Sequence, residues 1–307
     1  MKIRTLIILL FVNCQLFSQV KSEEICIEND SVKLPGTLTY TNANAPLIIW
    51  VHGSGNVDRN GNQAGLNVRA NYIKQFRDSI NKKGIAFFSY DKRTSNAENF
   101  PYLKNIVLED FLEDAKKVIA HFRKDKRFSQ LVLLGHSQGS LVAMLVADDV
   151  DKFISLAGPA RSIDEVVIEQ TRKNSPFALD TVEAYFTELK TTGTLKYVNP
   201  MLISLFKRDN LPFLISWMRY KPIEEIKKIT IPILLINGTK DIQVPATDAE
   251  ALHKANPKSE LLIIKNMNHV LKIIEKDEDN LKSYYRPDYP LSSELIEHID
   301  KYISQSE

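Results

Sequence analysis

Residues 130–147 read Gln-Leu-Val-Leu-Leu-Gly-His-Ser-Gln-Gly-Ser-Leu-Val-Ala-Met-Leu-Val-Ala, and they constrain the fold more than any other stretch of the chain. The apolar run from Leu131 to Leu134 has the length and branching of a buried strand. It stops at Gly135, Ser137 stands between Gly135 and Gly139, and residues 140–147 read as a helix. Strand, sharp Gly-x-Ser-x-Gly turn and helix together make the nucleophile elbow of serine hydrolases, in which the turn pushes the serine hydroxyl out at the strand end. So tight a turn brings backbone and neighbouring side chains close, which a residue without Cβ permits. The same pentapeptide arises by chance in many proteins. The reading therefore depends on whether the chain also supplies a base, an acid and oxyanion donors.

The 307 residues suffice for one large α/β domain with an insertion. Apolar content of 44% and charged content of 25% are those of an ordinary globular protein with a sizeable core. The first 18 residues read as a targeting segment. Lys2 and Arg4 form a positive start, residues 6–12 are unbroken apolar, and Leu16-Phe17-Ser18 offers a cleavage point after Ser18. The apolar run falls short of the roughly 20 residues of a membrane span, so the expectation is a periplasmic or secreted product without stable membrane insertion. Cys14 could instead accept a lipid, but Phe11-Val12-Asn13 before it match poorly the small residues such sites prefer. Without this segment, 38 basic residues face 38 acidic ones, which leaves no basic footprint for nucleic acid. Cleavage also leaves Cys26 as a lone cysteine, which excludes a disulfide framework.

Apolar strands alternating with amphipathic helices argue a parallel sheet covered on both faces. Residues 23–40 show period-two stretches around Pro35-Gly36, read as an N-terminal antiparallel hairpin. Strands are expected at 47–51, 85–90, 131–134, 153–157, 231–236 and 261–264, and helices at 70–83, 107–122, 246–255 and 291–303. From about 160 to 220 the strand signal disappears and helical patches rich in Phe, Tyr and Trp replace it, read as a helical cap inserted between two strands. The aromatics are expected mostly to pack within the cap, a few lining an apolar pocket.

The strand at 47–51 delivers His52-Gly53-Ser54-Gly55, where small residues let backbone N–H groups approach a ligand, the place of a second oxyanion donor. Asp58-Arg59-Asn60-Gly61-Asn62 invites a calcium reading, but an EF-hand needs Gly and Glu where Gln63 and Arg69 stand. That loop reads as a solvated turn, and Asp91-Lys92-Arg93 at the next strand end reads as structural charge, solvated or locally paired. No metal-ligand cluster and no phosphate-cradling loop is evident, so no cofactor is expected.

Six histidines compete for the role of base. His52 and His136 lie inside loop motifs, and His121, His253 and His298 lie on expected helices. Only His269 follows a late strand in a loop. Asp241 follows a strand after Asn237-Gly238, whereas its rival Asp248 sits within a helix. The order Ser137, Asp241, His269 is that of α/β-hydrolases rather than of other triad folds. Ser137 would attack an acyl carbonyl, His269 would take its proton, Asp241 would orient the imidazole, and the N–H groups of Ser54 and Gln138 would hold the oxyanion.

His52-Gly53-Ser54-Gly55 with Asp58-Arg59-Asn60-Gly61-Asn62, Tyr90-Asp91-Lys92-Arg93, Gly135-His136-Ser137-Gln138-Gly139, Ser155-Leu156-Ala157-Gly158, Gly238-Thr239-Lys240-Asp241 and Met267-Asn268-His269 resemble bacterial α/β-hydrolases of the serine-aminopeptidase-like or monoglyceride-lipase-like group, especially its small carboxylesterases. The likeness runs from about residue 34 to 303. It implies an eight-stranded sheet with a helical cap, and hydrolysis of carboxylic esters with small acyl groups. Two departures stand out: Thr94-Ser95 follows Arg93 where relatives usually have Gly, and Ser140 stands where a second Gly is frequent. The group also includes peptidases, so an amide or peptide hydrolase and a non-catalytic ligand-binding homologue remain the alternatives.

Overall fold

The structure, a computed structural model, describes residues 19–63 and 65–305. The expected targeting segment at 1–18, with Cys14 and the cleavage point after Ser18, lies outside the described residues. In chain order the first elements are strands β1 (Lys21–Asn29), β2 (Val32–Tyr40) and β3 (Ala45–Val51), helix α1 (Tyr72–Asn81), strand β4 (Ala86–Tyr90), helix α2 (Leu108–Arg123), strand β5 (Phe128–His136), helix α3 (Gln138–Met144) and strand β6 (Lys152–Leu156). Helices α4 (Ile163–Asn174), α5 (Leu179–Thr192), α6 (Ile203–Phe206), α7 (Leu211–Trp217) and α8 (Pro222–Glu225) follow, then strand β7 (Ile233–Gly238), helix α9 (Ala246–Ala255), strand β8 (Glu260–Ile264) and helix α10 (Ser293–Ser304).

The strands form one sheet of eight in the order β1-β2-β4-β3-β5-β6-β7-β8. β2 pairs antiparallel with both β1 and β4, and the pairs from β4 through β8 are parallel. This is the mostly parallel α/β sheet that the alternation of apolar runs with helical stripes implies. Side chains along the central strands split by parity. Leu47, Ile49, Val51, Leu131 and Leu133 pack with α2 and α3 on one face, while Ile48, Trp50, Val132 and Leu134 pack with α1 and α10 on the other. A strand buried on both faces carries no polar alternation, which explains the continuous apolar runs in the sequence. On the second face Trp50 stacks on His136, with ring centroids 5.7 Å apart, and packs against Phe76 at 5.3 Å.

The N-terminal hairpin turns elsewhere than the Pro35-Gly36 signal suggests. The chain reverses at Asp30, whose φ is 53°, and Pro35 lies within β2 opposite Cys26. Proline lacks an N–H, yet its carbonyl is used: Pro35 O accepts from Asp91 N at 2.8 Å. The ladder to β4 begins only at Gly36, opposite Tyr90, so that ladder asks nothing of the missing donor. Helix α3 starts at Gln138, two residues before the start expected from the apolar run.

Between β6 and β7 the chain is helical. Tyr185, Phe186, Phe206 and Trp217 are buried there, with Phe206 in edge-on contact with Phe186 at 5.2 Å. Phe177 and Tyr197 are instead 75% and 67% exposed, so these two lie outside the buried interior of the segment.

Of the charges after β4, Lys92 and Arg93 are not solvated and Asp91 is half-buried, so of the two readings of Asp91-Lys92-Arg93 the solvated one is corrected. Lys92 and Arg93 are 6% and 5% exposed. Arg93 donates from Nε and one terminal nitrogen to the two Asp114 carboxylate oxygens, both at 2.7 Å, and pairs with Asp110 at 2.9 Å. Asn29 Nδ2 adds a bond of 2.9 Å to Asp114. This network joins β1, the end of β4 and α2. Removing one member of a buried pair strands the other charge, at a cost of about 3–5 kcal/mol. Because Arg93 keeps its ion pair with Asp110, Asp114→Ala is expected to cost less than that, about 2 kcal/mol, read as a shift of the urea midpoint at neutral pH.

Candidate active site

Each proposed site residue sits at the C-terminal end of a parallel strand. β5 delivers Ser137 and β7 delivers Asp241. The loop after β8 delivers His269, and the loop after β3 delivers Ser54. Ser137 has φ 55° and ψ −123°, a conformation that non-glycine residues adopt only where the surroundings enforce it. The enforcement is visible. Ser137 N donates to Leu156 O of β6 at 2.9 Å, and Ser140 N to Ser137 O at 2.9 Å. Two close approaches complete it. A Cβ on Gly139 would lie 2.2 Å from Val51 O, and a Cβ on Gly53 would lie 3.0 Å from Ser137 Cβ. The loop after β3 thus lies directly against the elbow. The Ser137 side chain does not cap α3, so its hydroxyl is not committed to the helix.

His269 Nδ1 and Asp241 Oδ2 are 2.7 Å apart. An ionised carboxylate can only accept, so this contact selects the tautomer with the proton on Nδ1 and the lone pair on Nε2. Asp241 Oδ1 accepts from Gln243 N at 2.8 Å and Val244 N at 2.9 Å, and its side chain is fully enclosed. The rival Asp248 is held by both Nε and a terminal nitrogen of Arg161, each at 3.0 Å, and is committed elsewhere.

The loops that carry Asp241 and His269 are stitched together. Thr239 N donates to Ile264 O and Lys240 N to Met267 O, both at 3.0 Å, and Asn266 N donates to Thr239 Oγ1 at 2.9 Å. Asn268 fixes the turn beyond, accepting from Lys272 N at 3.0 Å and donating to Ser283 Oγ at 2.8 Å. His269 and the elbow are joined directly, since His136 Nε2 donates to His269 O at 2.9 Å and the two imidazoles lie 4.8 Å apart. His136, the residue before Ser137, is thus a structural link that reading the sequence missed. Its position between the two elbow residues Gly135 and Ser137 was the available signal.

The two N–H groups expected to hold an oxyanion are that of Gln138, the first residue of α3, and that of Ser54, in the loop after β3. A helix leaves its first N–H groups without intrahelical partners, and its dipole favours negative charge there. Gln138 is 2% exposed, and its side-chain oxygen accepts from Lys92 Nζ at 2.8 Å. The departures from the family pattern are absorbed locally. Ser140 is buried and shares a hydroxyl bond of 2.6 Å with Ser155, and Ser95 folds back on Lys92 O through both N–H (2.7 Å) and Oγ (2.9 Å). The Asp58 loop is an internal turn, in which Asp58 Oδ1 accepts from the N–H groups of Asn60 and Asn62 at 2.8 and 2.9 Å. Among the described residues, no group of three or more His, Cys, Asp or Glu side chains converges as a metal site.

The BD-FAE family model matches residues 37–255, from within β2 to the end of α9, a span that includes Ser137 and Asp241. The chain belongs to the BD-FAE family. It is 26% identical over 257 residues to Esterase EstD of Thermotoga maritima, covering 78% of this chain. The chain spans 58% of that relative's length. Among solved structures it is similar to Est1E from Butyrivibrio proteoclasticus, with a TM-score of 0.58 at 19% identity, covering 92% of this chain and 99% of the other. It is likewise similar to the Pyrococcus furiosus esterase Pf2001, with a TM-score of 0.56 at 17% identity, covering 97% and 94%. These likenesses show that this BD-FAE chain has the α/β-hydrolase fold.

Two imidazoles beside the site are neutral by construction. His52 Nε2 bonds Tyr90 O. Burial holds its pKa down to about 4, with the nearby Lys92 charge acting in the same direction. Burial likewise holds His136 well below the ordinary range, helped by His269. A histidine that titrates near 6.5 when unfolded and near 4 when folded binds more protons unfolded in that window, so stability falls as pH drops from 6.5 to 4. His52 alone accounts for roughly 3 kcal/mol of that loss. Urea unfolding at pH 7 and pH 4.5 is expected to show it, with His52→Gln flattening the slope between the two.

Proposed function

We propose that this chain hydrolyses carboxylic esters of small or medium acyl groups, with Ser137 as nucleophile, His269 as base and Asp241 as its orienting carboxylate. The observation that carries the reading is the Asp241–His269 bond of 2.7 Å, on an imidazole whose backbone is tied to the residue preceding a strained serine. The esterase names of the relatives support the same reaction class. Est1E has also been solved with ferulic acid bound, which makes aryl-substituted acyl groups a reasonable first panel.

In the first half-reaction His269 Nε2 takes the Ser137 proton as Oγ bonds to the acyl carbon. The carbonyl electron pair moves to oxygen, where the N–H groups of Gln138 and Ser54 receive it. The tetrahedral species collapses, the C–O bond to the alcohol breaks, and His269 returns the proton to the leaving oxygen. Water then repeats the sequence, with the same base taking its proton and the acid product leaving Ser137 free. Asp241 stays ionised and holds the tautomer. The apolar run at residues 6–12, after Lys2 and Arg4, supports export of the enzyme to the periplasm or medium.

Ser137→Ala is expected to abolish turnover of p-nitrophenyl acyl esters, a loss of about 10⁴-fold or more in kcat, and labelling by a fluorophosphonate probe. Asp241→Asn should lose on the order of 10³-fold or more with KM nearly unchanged. Undiminished turnover by Ser137→Ala would reject the assignment.

A further inference from the structure

The loop after β4 carries three consecutive charges, and two of them have ionic partners. Asp91 pairs with Arg59 at 2.8 Å, and Arg93 with Asp110 and Asp114. Lys92 is different. It is 6% exposed, and among the described residues no carboxylate lies within ion-pair distance of its ammonium. Its Nζ donates to Gly53 O at 2.7 Å and to Gln138 Oε1 at 2.8 Å, and it lies 4.6 Å from the centre of the Phe111 ring.

Both acceptors belong to the oxyanion side of the site. Gly53 O and Ser54 N–H are the two ends of one peptide unit, and no described peptide bond is cis. In a trans peptide C=O and N–H point in opposite directions. An ammonium on the carbonyl therefore aims the N–H away from Lys92. It also withdraws charge through the peptide plane, which strengthens the N–H as a donor. The second bond anchors the side chain of Gln138, whose own N–H is the other donor. One ammonium thus reaches both donors from behind, without contacting the reacting atoms.

Placing a charge here is costly. Taking an ammonium out of water without a carboxylate partner costs several kcal/mol, and a methionine of similar shape would fill the space without that cost. Burial lowers the Lys92 pKa to about 7, against the opposing pull of the Asp114 carboxylate. The ammonium is thus poised between its charged and neutral forms near neutral pH, and negative charge arising nearby during reaction would favour the charged form.

We propose that Lys92 is a positioning residue of the oxyanion hole, orienting and polarising the Gly53–Ser54 peptide and fixing Gln138 before substrate arrives. The proposal rests on the ester-hydrolase reading above, and the test separates the two. Lys92→Met is compared with the unmodified chain in kcat and KM for p-nitrophenyl esters, and in affinity for two inhibitors. One is an alkyl trifluoromethyl ketone, which bonds to Ser137 and leaves an oxyanion. The other is the product carboxylic acid, which forms no such bond.

The expected result is a fall in kcat of about 10-fold, smaller than the roughly 100-fold loss of a whole donor. KM should stay within about twofold, the ketone should bind about 10-fold more weakly, and the acid should bind unchanged. A lysine with a purely structural role would shift the urea midpoint and leave kcat and ketone affinity where they were, and that outcome overturns the proposal. Gln138→Met, which keeps the backbone donor but removes the tether, is expected to lose about threefold in both kcat and ketone affinity, a part of the Lys92→Met effect. Should Lys92→Met fail to fold, unchanged kcat and ketone affinity in Gln138→Met overturn the proposal. Ser137→Ala separates the two levels: turnover without Ser137 rejects the hydrolase reading itself, while an inactive Ser137→Ala beside a fully active Lys92→Met rejects the Lys92 role alone.

Discussion

Everything at the candidate site depends on how closely β5 and β3 come together where they leave the sheet. Val51 pairs with Gly135 in the parallel ladder, so the two chains reach the sheet edge at the same level. The chain after β5 then turns so that Gly139 slides beneath the Val51 carbonyl, with no room there even for a methyl group. That contact brings the first turn of α3 beside the loop from Gly53 to Gly55, and it compresses Ser137 into a backbone region it would not otherwise occupy. The strain is borne by the ladder and by the bond from Ser137 N to Leu156 O.

Around this contact the protein uses polar groups as spacers, each with a named partner. His136 stacks on Trp50 and reaches across to the backbone of His269, and His52 bonds the end of β4. Both rings are held neutral by burial, so they fix distances between loops without adding charge near Ser137. Lys92 is the exception that brings charge. On the other side, Asp241 and His269 lie on loops joined by two backbone–backbone bonds and one from Asn266 N to Thr239 Oγ1, and His136 ties the His269 backbone to the elbow.

The sheet was legible because its central strands are buried on both faces and read as unbroken apolar runs, from Leu47 to Val51 and from Leu131 to Leu134. Ser137, Asp241 and His269 were legible because each follows such a run, in a telling order. The hairpin turn was not. Pro35-Gly36 carries a stronger local turn signal than Asp30-Ser31, and only the ladder to β4 shows why proline is tolerated there. Lys92 was opaque for a related reason. A charged triplet after a strand usually meets water, and whether the loop folds inward depends on partners that lie 39 and 46 residues away in sequence. The likeness to known α/β-hydrolases included Tyr90-Asp91-Lys92-Arg93 without saying what the lysine touches.

The helical segment between β6 and β7 joins two strands that are immediate neighbours in the sheet, with Ile154 opposite Leu234. Their pairing is parallel and in register whatever the chain does between them. Closing a longer loop adds only a slowly growing entropic term. The length of the segment is therefore only weakly coupled to the pairing of β5, β6 and β7, which sets where the loops carrying Ser137 and Asp241 leave the sheet. The length of the helical segment and the geometry of the sheet edge are thus separately adjustable parts of one chain.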